Sequence, residues 1–148
     1  AELTKDSVPT MLSYPTFIDK DSLFNTPPTF AIYMMGLVTD WIKQQGGLAG
    51  MEKLTNAKSN SLYEYIDSTD FYIGTAEPAD RSTMNVCFRL PTEDLEAKFL
   101  KESEEAGLLG LKGHRSVGGI RASIYNGMPL EGVEALIDFM SEFEKANS

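Results

Sequence analysis

The run Ser82–Leu90, STMNVCFRL, is followed at once by Pro91 and Thr92, and this junction constrains the chain more than any other stretch. Met84, Val86, Phe88 and Leu90 fall on one side of an extended chain, so the run predicts a strand with one buried face. Proline has no N–H to give to a sheet, and Pro91 closes the run. Thr92 is then an N-cap for a helix whose first turn holds Glu93 and Asp94, where the helix dipole favours negative charge. Leu95, Phe99 and Ala106 form the inner face of that helix, and Gly107 ends it.

Residues 1–28 read as loop, punctuated by Pro9, Pro15, Pro27 and Pro28, the last two able to start a helix. From residue 29, Phe30, Tyr33, Met34, Leu37, Val38, Trp41 and Ile42 recur at helical spacing, with Ile32 and Met35 on the opposite side. This pattern predicts a helix buried nearly all round, stopped by Gly46-Gly47. A second helix is expected from about Leu48 to Asp67, with Met51, Leu54, Leu62, Tyr65 and Ile66 inward and Glu52, Lys53, Lys58 and Glu64 in water. Two short strands, Leu108–Leu111 and Gly119–Tyr125, follow the Thr92 helix. A final helix carries Val133, Leu136, Ile137, Met140 and Phe143. The order implies an α/β two-layer domain, a small sheet covered by helices.

A formal charge of −9 over 148 residues argues against nucleic-acid binding, which needs cations to replace counterions along phosphates. No apolar run reaches the ~18 residues of a membrane span, and the start lacks the basic and apolar regions of a signal peptide. Cytoplasmic residence is the simplest expectation. Cys87, the single cysteine, reads as a buried reduced thiol in an alternating run and takes no catalytic role. The chain has no glycine-rich nucleotide motif, no metal-ligand spacing and no serine-nucleophile motif.

Against this acidic background, Gly110–Leu130 contains no Asp or Glu but holds Lys112, His114, Arg115 and Arg121. Strand alternation puts Arg121, Ser123 and Tyr125 on one face and the apolar Ile120, Ala122 and Ile124 on the other. Arg121 then presents a guanidinium able to hold a carboxylate through two parallel hydrogen bonds. His114 and Arg115 lie on the glycine-rich turn before it. Two separate positive groups imply a ligand with two anionic ends; the plainer reading is a surface ion-pair arginine and a loop histidine.

The segments NTPPTFAIYMMGLV (Asn25–Val38), RSTMNVCFRL (Arg81–Leu90), AGLLGLKGHRSVGGIRASIYN (Ala106–Asn126) and MPLEGVEALIDFM (Met128–Met140) resemble the carboxy-terminal part of the phosphoserine aminotransferase family. The resemblance runs in order over nearly the whole chain. It implies the small C-terminal α/β domain of a fold-type I transferase dependent on pyridoxal 5'-phosphate, here residues 29–148. Residues 1–28 would belong to the large cofactor domain and linker. It also implies amino transfer between O-phospho-L-serine and 2-oxoglutarate in serine biosynthesis, by a homodimer. By the same resemblance Arg121 holds the substrate carboxylate, His114 and Arg115 the substrate phosphate, and Asn25 and Thr26 the cofactor phosphate in the neighbouring subunit's site.

The family's Schiff-base lysine lies upstream of the matching region, and none of the nine lysines here sits in a comparable segment. The expectation is therefore a portion of the enzyme, without catalytic residues of its own and inactive without the missing N-terminal cofactor-domain portion. The alternatives are a non-catalytic α/β module that binds a small anionic metabolite, and a structural interaction domain.

Overall fold

A computed structural model of the protein describes residues 7–148; the opening residues 1–6, read above as free of a signal peptide and as the start of the 1–28 segment, lie outside the described residues. The chain divides into two units, Ala1–Gln44 and Gln45–Ser148. The helix that follows the double proline falls in the first unit.

In the first unit the stretch read as loop contains a 3₁₀ turn at Thr10–Leu12 and a short helix α1, Tyr14–Ile18, with Pro15 in its first turn. Helix α2 spans Thr29–Gln44. Its expected burial is not observed: no residue of α2 is buried, and Phe30 and Met35 are 77% and 71% exposed. The all-round apolar pattern is right for a helix and wrong for a covered one, because a pattern records what a surface is suited to meet and not whether the partner is present.

The second unit runs α3 (Gly47–Asp67), β1 (Ile73–Gly74), a 3₁₀ turn (Pro78–Asp80), β2 (Asn85–Arg89), α4 (Glu93–Glu105), β3 (Ile120–Ser123) and α5 (Leu130–Asn147). The sheet is antiparallel in the order β1-β2-β3, with Ile73 opposite Arg89, Val86 opposite Ala122 and Phe88 opposite Ile120. The two-layer α/β arrangement expected from the sequence is what forms. Thr92 caps α4 as anticipated, its hydroxyl oxygen accepting from the Leu95 N–H at 3.2 Å.

Leu108–Leu111 is not a strand. The Leu108 N–H closes the end of α4 on the Ser103 carbonyl at 2.8 Å, and the only ladder contact in this region is an isolated bridge between Lys112 and Ile120. The two-residue β1 carries too little pattern to be seen in the sequence.

One face of the sheet, Val86, Phe88, Ile120, Ala122 and Ile124, is buried beneath Leu62 and Ile66 of α3, Phe99 of α4 and Val133, Met140 and Phe143 of α5. Phe88 and Phe99 meet at 90° with ring centroids 6.0 Å apart, and Phe99 and Phe143 at 78° and 5.1 Å. Such edge-to-face pairs add roughly 0.5–1.5 kcal/mol each beyond the area they bury. The opposite face, with Asn85, Cys87, Arg89, Arg121 and Ser123, is left half-buried.

The inner stripe of α3 is Met51, Thr55, Lys58, Ser59, Leu62 and Ile66, and Leu54, expected inward, is exposed. Lys58 reverses its expected place in water and is only 3% exposed. Its ammonium donates to the carbonyls of Ile124, Tyr125 and Met128 at 3.1, 2.7 and 2.9 Å. All three N–H bonds of a lysine are therefore used, holding the end of β3 and the turn that leads into α5. Burial pushes its pKa below the ordinary lysine value. Backbone carbonyls 66 to 70 residues away leave no trace in a helical pattern, which is why the residue reads as a solvated one.

Arg81 forms a forked ion pair with Asp67 at 2.6 and 2.7 Å, tying the end of α3 to the loop before β2, and its guanidinium lies 4.6 Å from the centre of the Tyr63 ring. The hydrogen bonds from Arg81 hold the Asp67 carboxyl below its ordinary pKa. A depressed carboxyl stabilises the fold above its unfolded pKa, about 3.9, and that contribution is lost as pH falls through the lower folded value.

Two outcomes are expected. Lys58→Met should lower stability by roughly 2–4 kcal/mol in urea unfolding, because three carbonyls lose their donor. Asp67→Asn should leave a shallower loss of thermal stability below pH 4 than the parent shows; the effect is modest because Asp67 is half exposed.

Candidate anion-binding site

The Lys112–Gly119 loop is a closed structure. The Gly113 N–H donates to the Gly119 carbonyl at 2.8 Å, and the N–H groups of Val117 and Gly118 both reach the His114 carbonyl, at 2.9 and 2.8 Å. Glycine is required at two places. A Cβ on Gly113 would lie 2.0 Å from the Gly118 carbonyl oxygen; one on Gly119, where φ is +69°, would lie 2.5 Å from Arg89 Cδ and 2.9 Å from the Phe88 carbonyl oxygen.

Within the loop the Ser116 backbone N–H donates to His114 Nδ1 at 3.3 Å, and the Ser116 hydroxyl lies 2.7 Å from the same nitrogen. Nδ1 thus accepts from the Ser116 N–H, which in the neutral ring leaves the N–H on Nε2. His114, Arg115 and Lys112 line an open hollow of about 650 Å³, whose wall is completed by Arg89 and by Glu93 and Glu96 of α4.

Arg121 stands where alternation placed it, on the half-buried face of β3 opposite Cys87, while Ile120, Ala122 and Ile124 enter the core. On the same face Ser123 and Tyr125 both donate to the Asn85 side-chain oxygen, each at 3.2 Å. The structure brings His114 and Arg115 together on one hollow; Arg121 is not part of its lining. A second cavity, about 270 Å³ between residues 107–111, β3 and the start of α5, is lined by Leu108, Leu111, Ile124 and Leu136 with Ser123 as its one polar side chain, so it has no group to grip an anion.

The ion pairs separate the four arginines into two kinds. Arg81 is paired with Asp67 and Arg89 with Glu96, whereas Arg115 and Arg121 have no carboxylate partner among the described residues. The Arg121 Nε is also shut off from solvent without a hydrogen-bond acceptor. A buried donor without an acceptor is costly.

In the first unit Asn25 and Thr26 are exposed, immediately before α2, and the Asn25 amide approaches the Thr26 carbonyl at 3.4 Å. An amide N–H and a hydroxyl are suitable donors to a phosphate oxygen, so these residues fit a phosphate contact. No described lysine fits as the covalent partner of an aldehyde cofactor. Lys58 is the buried one and its three donors are engaged, while Lys20, Lys43, Lys53, Lys98, Lys101, Lys112 and Lys145 are exposed.

The aminotransferase class-V family model matches residues 6–136. The chain belongs to the class-V aminotransferase family. Phosphoserine aminotransferases from Syntrophobacter fumaroxidans and Desulfatibacillum aliphaticivorans are 61% and 59% identical over 95% of the chain, which spans 39% of each of them. Among solved structures, the phosphoserine aminotransferase from Bacillus circulans subsp. alkalophilus matches with a TM-score of 0.91 at 48% identity, over 97% of this chain and 40% of that one. The PLP-bound phosphoserine aminotransferase from Trichomonas vaginalis matches with a TM-score of 0.83 at 40% identity, over 93% and 40%. The fold is thus the one the resemblance implied.

Arg89 and Glu96 are not singled out by the sequence. The available signal is an arginine at the end of a strand four residues before an acidic first helical turn, a spacing that becomes meaningful only once the helix is seen to bring Glu96 back against Arg89. Gly119→Ala should lower stability by about 1–3 kcal/mol in urea unfolding, since the Phe88 carbonyl beneath it cannot move away without breaking the β2–β3 ladder. In two-dimensional NMR the same substitution should shift the amides of residues 113–119.

Proposed function

We propose that this chain is the substrate-gripping C-terminal portion of a phosphoserine aminotransferase that transfers an amino group between O-phospho-L-serine and 2-oxoglutarate in serine biosynthesis. The observation that supports it most is the pair of guanidinium groups, Arg115 and Arg121, left without carboxylates in a protein of charge −9. In this reading Arg121 takes the substrate α-carboxylate through two parallel hydrogen bonds. His114, through its Nε2–H, and Arg115 take the phosphate, with Lys112 steering anions toward the hollow.

Pyridoxal 5'-phosphate supplies the electron sink for the amino transfer when it is bound. Asn25 and Thr26 would donate to its phosphate in the neighbouring subunit's site of a homodimer. The lysine that holds the cofactor would come from the upstream portion, so this chain alone is inactive. The exposed apolar surface of α2 supports such an assembly, since a surface of this kind is what a soluble protein normally covers. Cytoplasmic residence belongs to the same reading.

Mixing this chain with the upstream cofactor-domain portion should restore phosphoserine-dependent glutamate formation, and neither piece alone should show it. In the complete enzyme, Arg121→Ala should raise the KM for phosphoserine by roughly 10–100-fold, the cost of a bidentate charge-assisted interaction. Unchanged kinetics in that variant would remove the assignment. Tight phosphoserine binding by the isolated chain, measured by calorimetry in the absence of the cofactor, would instead favour the anion-binding module.

A further inference from the structure

The loop that carries His114 and Arg115 is fastened from beneath by a side chain that belongs to neither the loop nor the hollow's free cations. Arg89, the last residue of β2, donates from Nε to Glu96 Oε1 at 2.5 Å and from Nη1 to the Val117 carbonyl at 3.1 Å. Glu96, on the first turns of α4 and only 8% exposed, also accepts the Leu90 N–H at 3.3 Å through the same oxygen. One guanidinium therefore spans three elements: the helix, the strand end and the loop. The sheet register fixes why it lies there. Phe88 pairs with Ile120 in an antiparallel ladder, so one step further on Arg89 comes against Gly119, and the loop backbone can settle on the arginine stem because Gly119 has no side chain, a Cβ there lying 2.5 Å from Arg89 Cδ.

The pair also sets the charge of the hollow. Glu93 and Glu96 line it together with Lys112, His114 and Arg115. A dianionic phosphate entering there would be repelled by a Glu96 carboxylate that had no counter-charge. Arg89 removes that repulsion while keeping its own guanidinium directed at internal partners, and so leaves Arg115, with His114, to meet the ligand.

We infer that Arg89, anchored by Glu96, is the positioning residue for the phosphate-binding loop, and that it sets the preference for a phosphorylated over an unphosphorylated amino-acid substrate. This rests on the reading of the hollow as the site for the substrate phosphate. The loop's two hydrogen bonds onto the His114 carbonyl keep its own turn closed, but among the described side chains only Arg89 hydrogen-bonds to a loop carbonyl from outside it.

The test uses the complete enzyme bearing this chain and compares kcat/KM for O-phospho-L-serine with that for L-serine, the same substrate without its phosphate. Arg89→Gln should lower this ratio about tenfold, the combined effect of removing a charge-assisted hydrogen bond and leaving the Glu96 carboxylate uncompensated. Arg89→Lys should not restore it, because a single ammonium on a shorter stem cannot serve the Glu96 carboxylate and the Val117 carbonyl with fork geometry. Glu96→Gln, which loosens the anchor of Arg89 but also takes a carboxylate charge out of the hollow, should give a smaller fall in the same direction, since the two effects oppose each other. A general loss of structure would depress both substrates together and leave the ratio unmoved.

In the 148-residue chain, amide exchange at Val117 and Gly118 should quicken in Arg89→Gln and Arg89→Lys while Val86 and Phe88 keep their protection. Arg115→Ala separates phosphate binding by the hollow from positioning by Arg89. If it fails to change the ratio, the hollow is not the phosphate site; if it lowers the ratio while Arg89→Gln and Arg89→Lys leave both ratio and exchange at parent values, the positioning role alone is overturned.

Discussion

Across β2 and β3, Val86 faces Ala122 and Phe88 faces Ile120, and the placement of Arg121 depends on this ladder. A slip of one residue in an antiparallel pair exchanges the two faces of a strand. It would carry Arg121 into a core of Phe99, Val133 and Met140, and bring Ile120 and Ala122 into solvent. The register is held from both sides. Below, Phe88 and Ile120 are buried in the core that the helices build over the sheet; at the far end, Lys58 clasps the carbonyls of Ile124, Tyr125 and Met128 and stops the strand from sliding. Packing energy thus decides where a charged group on the opposite face will stand.

The second feature is how the protein distributes its cations. Arg81, Arg89 and Lys58 are committed to structure: Arg81 against Asp67, Arg89 against Glu96 and Val117, Lys58 against three carbonyls. Arg115 and Arg121 are paired with no carboxylate among the described residues. Residue type alone does not separate an ion-paired arginine from an unpaired one. The separation comes from which acceptors the fold brings within reach, and here it coincides with the segment Gly110–Leu130 from which acidic residues are missing.

Much of this is legible in the sequence, and the exceptions share a physical cause. The β2–Pro91–Thr92 junction, the limits of α3 and the alternation around Arg121 depend on short-range pattern, and the structure follows them. Leu108–Leu111 looks like a strand because its three leucines flank a glycine, yet the segment bonds back to the end of α4. Lys58 looks solvated because its partners are backbone atoms distant in sequence. Helix α2 looks buried because its composition suits burial, although none of its residues is buried among the described ones. Arg115 and His114 are identifiable by type and by family resemblance, whereas the Arg89–Glu96 support beneath them requires the register of the sheet.

We propose that the guanidinium groups at 115 and 121 stand open because each receives one end of a substrate with two anionic ends. A crystal structure of the complete enzyme with O-phospho-L-serine bound measures this most directly. The phosphate is expected within hydrogen-bond distance of His114 Nε2 and Arg115, and the carboxylate held by two parallel hydrogen bonds from Arg121. Finding either arginine paired instead with an acidic side chain of the upstream portion, with the substrate held elsewhere, would contradict it.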